Sequence, residues 1–191
     1  IVIEIILPYN CSQKTSLSNS YCQKSPIYGN MNYINTIYII TNIEDNQMKL
    51  QKLYSLVRKA LNDYDMIEPN DRIAIGISGG KDSLALLYAL AGIRHFYQVP
   101  FEICAVTVDL GWKDFSLEPI QKLCDELKVD YHIIKTDIAQ IVFEERKEEN
   151  PCSLCAKMRK GSLNDAIKEL GCNKVAYAHH KDDVVETMLL S

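Results

Sequence analysis

The chain has 191 residues, 47% of them apolar and 24% charged, the profile of a globular domain and not of a disordered or fibrous one. Its formal net charge of −4 argues against a broadly basic, nucleic-acid-binding surface, so a basic region has to be local or lie on further chain. No apolar run approaches the ~20 residues that span a bilayer, and seven cysteines without a secretory signal argue against a disulfide framework and for a reducing, cytoplasmic setting with no membrane.

Residues 1–47 differ in composition from the remainder of the chain. Ile, Asn and Tyr supply nearly half of them, and charge is scarce. The apolar run Ile1 to Pro8 has no basic flank ahead of it, which argues against a signal peptide. The segment is expected to be a disordered extension, or translated upstream sequence that is not part of the native protein. From Met48 the string MKLQKLYSLVRKALNDYDMI predicts an amphipathic helix, with Leu50, Leu53, Leu56, Val57, Ala60 and Leu61 at helical spacing.

From Asp71 onward the pattern alternates between strand and helix. Arg72 to Ile77 reads as a buried strand, followed by a glycine turn and a helix over about Ser83 to His95. Phe101 to Val108 predicts a second strand, Leu117 to Leu127 a second helix and Val129 to Lys135 a third strand. The charged stretch Glu144 to Pro151 reads as a mobile loop. A helix over about Leu154 to Leu170 is capped by Gly171. Lys174 to Ala178 predicts a fourth strand, and a further helix begins near Asp182. Alternation of this kind calls for an α/β fold, a Rossmann-like parallel sheet with helices on both faces. Ligands of such sheets bind at the carboxyl ends of the strands. The apolar pattern still runs at Leu190-Ser191 with no stop signal, so the domain of residues 48–191 is expected to be truncated at its C-terminal end.

Three strings carry chemistry. The first is Ser78-Gly79-Gly80-Lys81-Asp82-Ser83, between strand and helix. Two glycines let the backbone turn tightly and approach a phosphate. The helix beyond it offers free N–H groups and a positive dipole end. Lys81 adds charge, Ser78 and Ser83 add hydroxyl donors, and Asp82 makes sense beside a phosphate if magnesium bridges them. A Walker loop is excluded, because only three residues separate Gly76 from Gly80 and Asp82 follows Lys81. Glycine pairs also occur in strand-to-helix turns that bind nothing, but placement and composition here agree with an anion site.

The second string is Cys152-Ser153-Leu154-Cys155, at the end of the charged loop and the start of a helix. A helix N-terminus favours thiolates, and Lys157, Arg159 and Lys160 push the same way. Taken alone, this spacing suits half a zinc site, a redox pair, part of an iron–sulfur site, or chance among seven cysteines. The third string, Ala178 to Thr187, holds His179-His180 and Asp182-Asp183 with Glu186. Asp182 and Glu186 share a helix face, where acidic residues would also complement the dipole. Paired histidines suit proton transfer or metal contact.

Together these strings resemble the PP-loop class of ATP-pyrophosphatases, whose signature is the SGGKDS turn. The resemblance covers residues 48–191. It implies an adenine nucleotide alpha-hydrolase-like fold, ATP, Mg2+ and release of pyrophosphate. It further implies that Val106, Thr107, Val108 and Asp109, at the end of strand two, line the adenine and ribose pocket. Pro151 to Gly161 (PCSLCAKMRKG) is similar to a segment of tRNA 2-thiocytidine synthetases, in which the two cysteines and a third further downstream hold a 4Fe-4S cluster. That implies Cys152 and Cys155 as cluster ligands; Cys172 is a poor third, and no other third ligand is identified in this chain. The His-His-x-Asp-Asp string also resembles that group, with Ala178 where Gly is usual, and lysidine synthetases carry a related version. The resemblance implies that Asp82, Asp182 and Asp183 place magnesium or nucleotide, and that His180 contacts the activated base or a phosphate.

The expected function is ATP-dependent tRNA sulfuration. The 2-oxo group of a pyrimidine, a cytidine in the anticodon loop, is adenylated and replaced by sulfur. Asp82, Cys152, Cys155 and His180 are the expected catalytic residues, and Ser78, Gly79, Gly80, Lys81, Asp82, Ser83, Val108 and Asp109 the ATP-binding set. The expected partners are tRNA and a sulfur donor such as a cysteine desulfurase, with a homodimer left open. Lys157, Arg159 and Lys160 could meet tRNA phosphates or form a solvated helix face. The rival readings are a tRNA(Ile)-lysidine synthetase-type ligase, which needs no cluster, and a non-catalytic ATP-binding fragment.

Overall fold

A computed structural model describes residues 2–6, 45–111, 116–145 and 151–179 of the chain. Five strands, β1 (Val2–Ile6), β2 (Asp71–Gly76), β3 (Phe101–Asp109), β4 (Asp130–Lys135) and β5 (Lys174–His179), form one sheet in the order β1-β5-β2-β3-β4. The four strands β2 to β5 are parallel to one another. Helices α1 (Asp45–Asp63), α2 (Lys81–Ile93), α3 (Glu118–Leu127) and α4 (Pro151–Glu169) connect them.

The middle of β2 is buried on both faces, with Ile73, Ala74 and Ile75 at 0% exposure, as a central parallel strand requires. Alternation then sorts the side chains into two layers. Ile73, Ile75, Ile77, Ile103 and Ala105 pack with Leu84, Leu87 and Leu90 of α2, with Val57 and Leu61 of α1, and with Ile120 and Leu123 of α3. Ala74, Cys104, Val106 and Val175 face the opposite way and pack with Leu163 and Ile167 of α4. The α/β sheet with helices on both faces is therefore as the alternation predicted. Gly92 lets α1 lie close on α2, since a Cβ there would run into the ring of Tyr54. Beyond α2, Arg94 donates from Nη2 to the carbonyl oxygens of Leu127 (3.0 Å) and Lys128 (2.9 Å), the last carbonyls of α3.

A polar cluster closes the amino ends of β2 and β5. The Asp71 carboxylate accepts hydrogen bonds from the Glu68 N–H and from Asn173 Nδ2, each 2.6 Å, and pairs with Lys174 Nζ at 2.8 Å. Lys174 also donates to the Met66 carbonyl at 3.0 Å. With Asp71 2% exposed, this carboxylate is stable as a charge only because every partner is present.

Three expectations change. Within residues 1–47, Val2–Ile6 is not disordered: it pairs antiparallel with β5, Val2 opposite His179 and Ile6 opposite Val175. Its β-branched composition suits a strand, and it covers the edge that β5 would otherwise expose. The sheet is thus mixed at that edge. The first helix opens at Asp45 and not at Met48; an aspartate is favoured where a helix starts. Of the stretch Glu144 to Pro151, Glu144 and Glu145 end a π-helical turn, Gln140–Glu145, and Pro151 already opens α4, where its fixed φ and missing N–H suit a first helical position, while residues 146–150 lie outside the described residues. The helix expected near Asp182 and most of residues 1–47 lie outside the described residues.

Candidate active site

The parallel sheet presents the carboxyl ends of β2, β3 and β4 on one edge, and the chain leaves β2 there through Ile77 into the glycine turn. Gly79 has φ 81°, a left-handed value that glycine adopts without strain. Gly80 is extended (φ −75°, ψ 156°) and caps α2, which starts at Lys81. The turn is braced from within. Ser83 Oγ donates to the Gly80 carbonyl at 2.9 Å, Ser78 Oγ donates to Ser83 Oγ at 3.3 Å, and the Gly80 N–H donates to Ser78 Oγ at 3.4 Å. Ser83 is buried, 5% exposed, whereas Ser78 and Lys81 are exposed. Ser83 and the Ser78 hydroxyl therefore shape the loop, while the Lys81 side chain is exposed and the first N–H groups of α2, which have no partner within the helix, are placed to take an anion. Asp82 stands half-buried in the first turn of α2.

The turn is also tied to its neighbours. The Ile77 N–H donates to the Val106 carbonyl at 2.9 Å, and Thr107 Oγ1 donates to the Ile77 carbonyl at 3.1 Å. Tyr131 of β4 donates its hydroxyl to Thr107 Oγ1 at 2.9 Å. At the end of β3, the Asp109 carboxylate accepts the Gly111 N–H at 2.9 Å, and the Asp109 carbonyl accepts Thr136 Oγ1 at 2.7 Å. Gly111 has φ 86°, and a Cβ there would press on the Thr136 carbonyl at 3.0 Å. The expected lining residues Val108 and Asp109 are thus at the edge with the turn, both half-buried. Asp109 spends one oxygen on its own loop. Thr107 points its hydroxyl back at Ile77. Tyr131 carried no sequence signal of its own, because its contact crosses from one strand to the next.

Cys155 comes to the same edge from the other face. It is 6% exposed and clusters with Leu110, Ile138, Ala139 and Val142, against Val108 and Met158. Arg159 Nη2 lies 4.0 Å from its sulfur. Cys152 is one turn earlier in α4, so both sulfurs rise from the positive end of that helix. Cys155 is a free thiol. Position in the helix suits the pair to ligation. Among the described residues no set of three His, Cys, Asp or Glu side chains is gathered that could hold a metal ion. Lys157, Arg159 and Lys160 are exposed on α4. His180, Asp182 and Asp183 lie outside the described residues.

The other cysteines belong to the interior. Cys104 and Cys172 are buried with their sulfurs 3.4 Å apart, and Cys124 is fully buried. The Cys104–Cys172 contact lies beneath α4, within the apolar layer.

Comparison with known proteins agrees with this geometry. The profile of the family described as PP-loop domain matches residues 44–191. The tRNA-cytidine(32) 2-sulfurtransferase of Geobacter sulfurreducens is 39% identical over 147 residues, which cover 76% of this chain and 57% of that protein. The protein of the same name from Shewanella sediminis is 41% identical over 145 residues, covering 75% of this chain and 46% of its own. This chain spans about half the length of the curated relatives it matches. Among solved structures, the U34-tRNA thiolase NcsA from Methanococcus maripaludis with its 4Fe-4S cluster superposes with a TM-score of 0.61 at 28% identity, over 75% of this chain and 50% of that one.

Proposed function

This chain belongs to the PP-loop domain family, and from that premise we propose that it is the ATP-handling portion of a tRNA sulfurtransferase acting on the 2-oxo group of a cytidine in the anticodon loop. The observation that carries the reading is the braced glycine turn opening α2 at the carboxyl end of a central parallel strand. Relatives 39–41% identical over this region are named for 2-sulfuration of tRNA cytidine 32, which supports that acceptor.

The chemistry is set by where charge develops. The base oxygen attacks the α-phosphorus of ATP, the bond from that phosphorus to the bridging oxygen breaks, and pyrophosphate leaves. The N–H groups that open α2 and the Lys81 ammonium stand ready for the charge on pyrophosphate, and Ser78 would reach it by turning its hydroxyl from Ser83. Asp82 suits Mg2+, which binds through one or two carboxylates together with substrate phosphates. Adenylation turns a poor leaving group into a good one. Sulfur delivered at the sulfide level, which a persulfide donor reaches with two electrons from a thiol reductant, then bonds to C2 of the base, the bond from C2 to the adenylated oxygen breaks, and AMP departs with that oxygen. Val108 and Asp109 are the proposed walls of the nucleoside pocket. His180, Asp182 and Asp183 are proposed at the same edge, on the strength of the motif alone.

Cys152 and Cys155 are the proposed holders of a 4Fe-4S cluster, which would supply an iron site for sulfur. A sulfur donor such as a cysteine desulfurase and the phosphates of tRNA at Lys157, Arg159 and Lys160 complete the proposed partners. The test is mass spectrometry of tRNA nucleosides from cells lacking the protein. Disappearance of 2-thiocytidine is the expected result. An unchanged 2-thiocytidine level would refute the reading, and loss of lysidine in its place would point to the ligase.

A further inference from the structure

Buried strand positions are ordinarily filled by Val or Ile, and a hydroxyl there costs free energy unless it is paired. Thr107 is 3% exposed in the middle of the sheet, next to Ala105 and Val106 at 0% and 1%. Packing alone would be served as well by valine. Its hydroxyl, however, is used twice: it donates to the Ile77 carbonyl at 3.1 Å and accepts from the Tyr131 hydroxyl at 2.9 Å.

The place where this chain of hydroxyls ends is specific. The paired register of β2 with β3 stops at Gly76 opposite Val106. Ile77 is the next residue, its N–H still held by the Val106 carbonyl at 2.9 Å, and Ser78 begins the turn. Thr107 holds the Ile77 carbonyl at the point where the ladder gives out. With the N–H and C=O of Ile77 both fixed, the peptide plane that leads into Ser78 has its direction set. Small errors in a phosphate-binding backbone are amplified, because its donors act only when already aimed.

We propose that Thr107 and Tyr131 are positioning residues for the glycine turn: two hydroxyls in series, from β4 through β3, orient the Ile77 peptide and so aim the N–H groups of residues 78–83 at the phosphates of ATP. The inference rests on the reading that this turn binds ATP. It adds a specific device, built on β3 and β4 and not on the turn itself.

The experiment is calorimetric titration of this chain with Mg-ATP and with adenosine, accompanied by thermal melts. Thr107→Val is expected to weaken ATP about fivefold to tenfold, the range given by loss of one net hydrogen bond. Adenosine affinity is expected to fall less than ATP affinity, and Thr107→Ser to restore ATP binding to within about twofold. Tyr131→Phe is expected to weaken ATP less, and its added effect should shrink in the Thr107→Val background, as for two groups in one network. A drop in melting temperature with unaltered ATP affinity in Thr107→Val and Tyr131→Phe would overturn the proposal and leave a purely structural role. If Thr107→Val does not fold, Tyr131→Phe with Thr107→Ser decides the matter. A wild-type chain that binds no ATP would instead overturn the functional reading, a result separable from equal binding by wild type and variants.

Discussion

Asp71 and Lys174 meet at 2.8 Å across the amino ends of β2 and β5, at the end of the sheet opposite the glycine turn. The Asp71 side chain is 3% exposed and that of Lys174 11%, so neither charge has water to fall back on. Removing one partner of such a pair leaves the other uncompensated. Asp71→Ala is expected to cost about 3–5 kcal/mol of stability in urea denaturation, without the specific loss of ATP affinity expected of changes at the other end.

The same carboxylate predicts a pH response. Burial pushes its pKa up, but the Lys174 hydrogen bond and charge, the Glu68 N–H and Asn173 outweigh that and hold it below the ordinary value of 3.8. A depressed folded-state value stabilises the fold in full above the ordinary carboxylate range, and the gain is lost as pH falls through the depressed value. The stability difference between wild type and Asp71→Asn should therefore be constant from neutrality down to mildly acidic pH and narrow only below 3.8. Narrowing well above that range, seen in denaturation series at several pH values, would assign the effect to another group.

Lys81 and Gly79 separate function from stability in the turn itself. Lys81 is exposed, so Lys81→Met should change stability by no more than about 0.5 kcal/mol while reducing ATP affinity at least severalfold. Gly79→Ala should do both, because φ 81° costs an L-residue roughly 1–2 kcal/mol. Thermal unfolding together with ATP titration reads the two effects apart.

The cysteines should behave as two populations. Burial, with Asp125 adding, pushes the Cys124 thiol up to about 12. Cys124 should therefore resist a thiol reagent at mildly alkaline pH in the native state and react fully in denaturant, as peptide mass spectrometry can show. Labelling of native Cys124 at that pH would mean that the α3 layer opens.

Cys155→Ala, alone or with Cys152→Ala, should abolish formation of thiolated nucleoside while leaving ATP affinity within about twofold, since the glycine turn is built without them. Nucleoside analysis and ATP titration on the same variants check this. Retained thiolation would remove the cysteine pair from the mechanism.

The parts legible in the sequence are those encoded locally. Ile73, Ile75 and Ile77 announce a strand by their spacing, and SGGKDS announces the turn because all its residues are neighbours in the chain. The PP-loop resemblance read from it is borne out by the family match over residues 44–191. The contacts that brace the turn were not legible, because Thr107 reaches Ile77 across 30 positions and Tyr131 reaches Thr107 across 24. The Asp71–Asn173 contact spans 102 positions. The strand Val2–Ile6 was not legible for the same reason: its composition looks foreign until β5, far along the chain, offers an edge to pair with. The π-helical turn Gln140–Glu145 is too short to leave a period of its own in the residues.

Arg94 grips the last carbonyls of α3 from the far end of the helix that opens at the glycine turn. Helix α2 is 13 residues long, or about 20 Å at the usual rise, and stiff on that scale. A load placed on its first turn by an arriving triphosphate would travel as through a rod to the Leu127–Lys128 corner. A fluorophore attached at Lys128, remote from any chemistry, should then sense occupancy of the nucleotide seat.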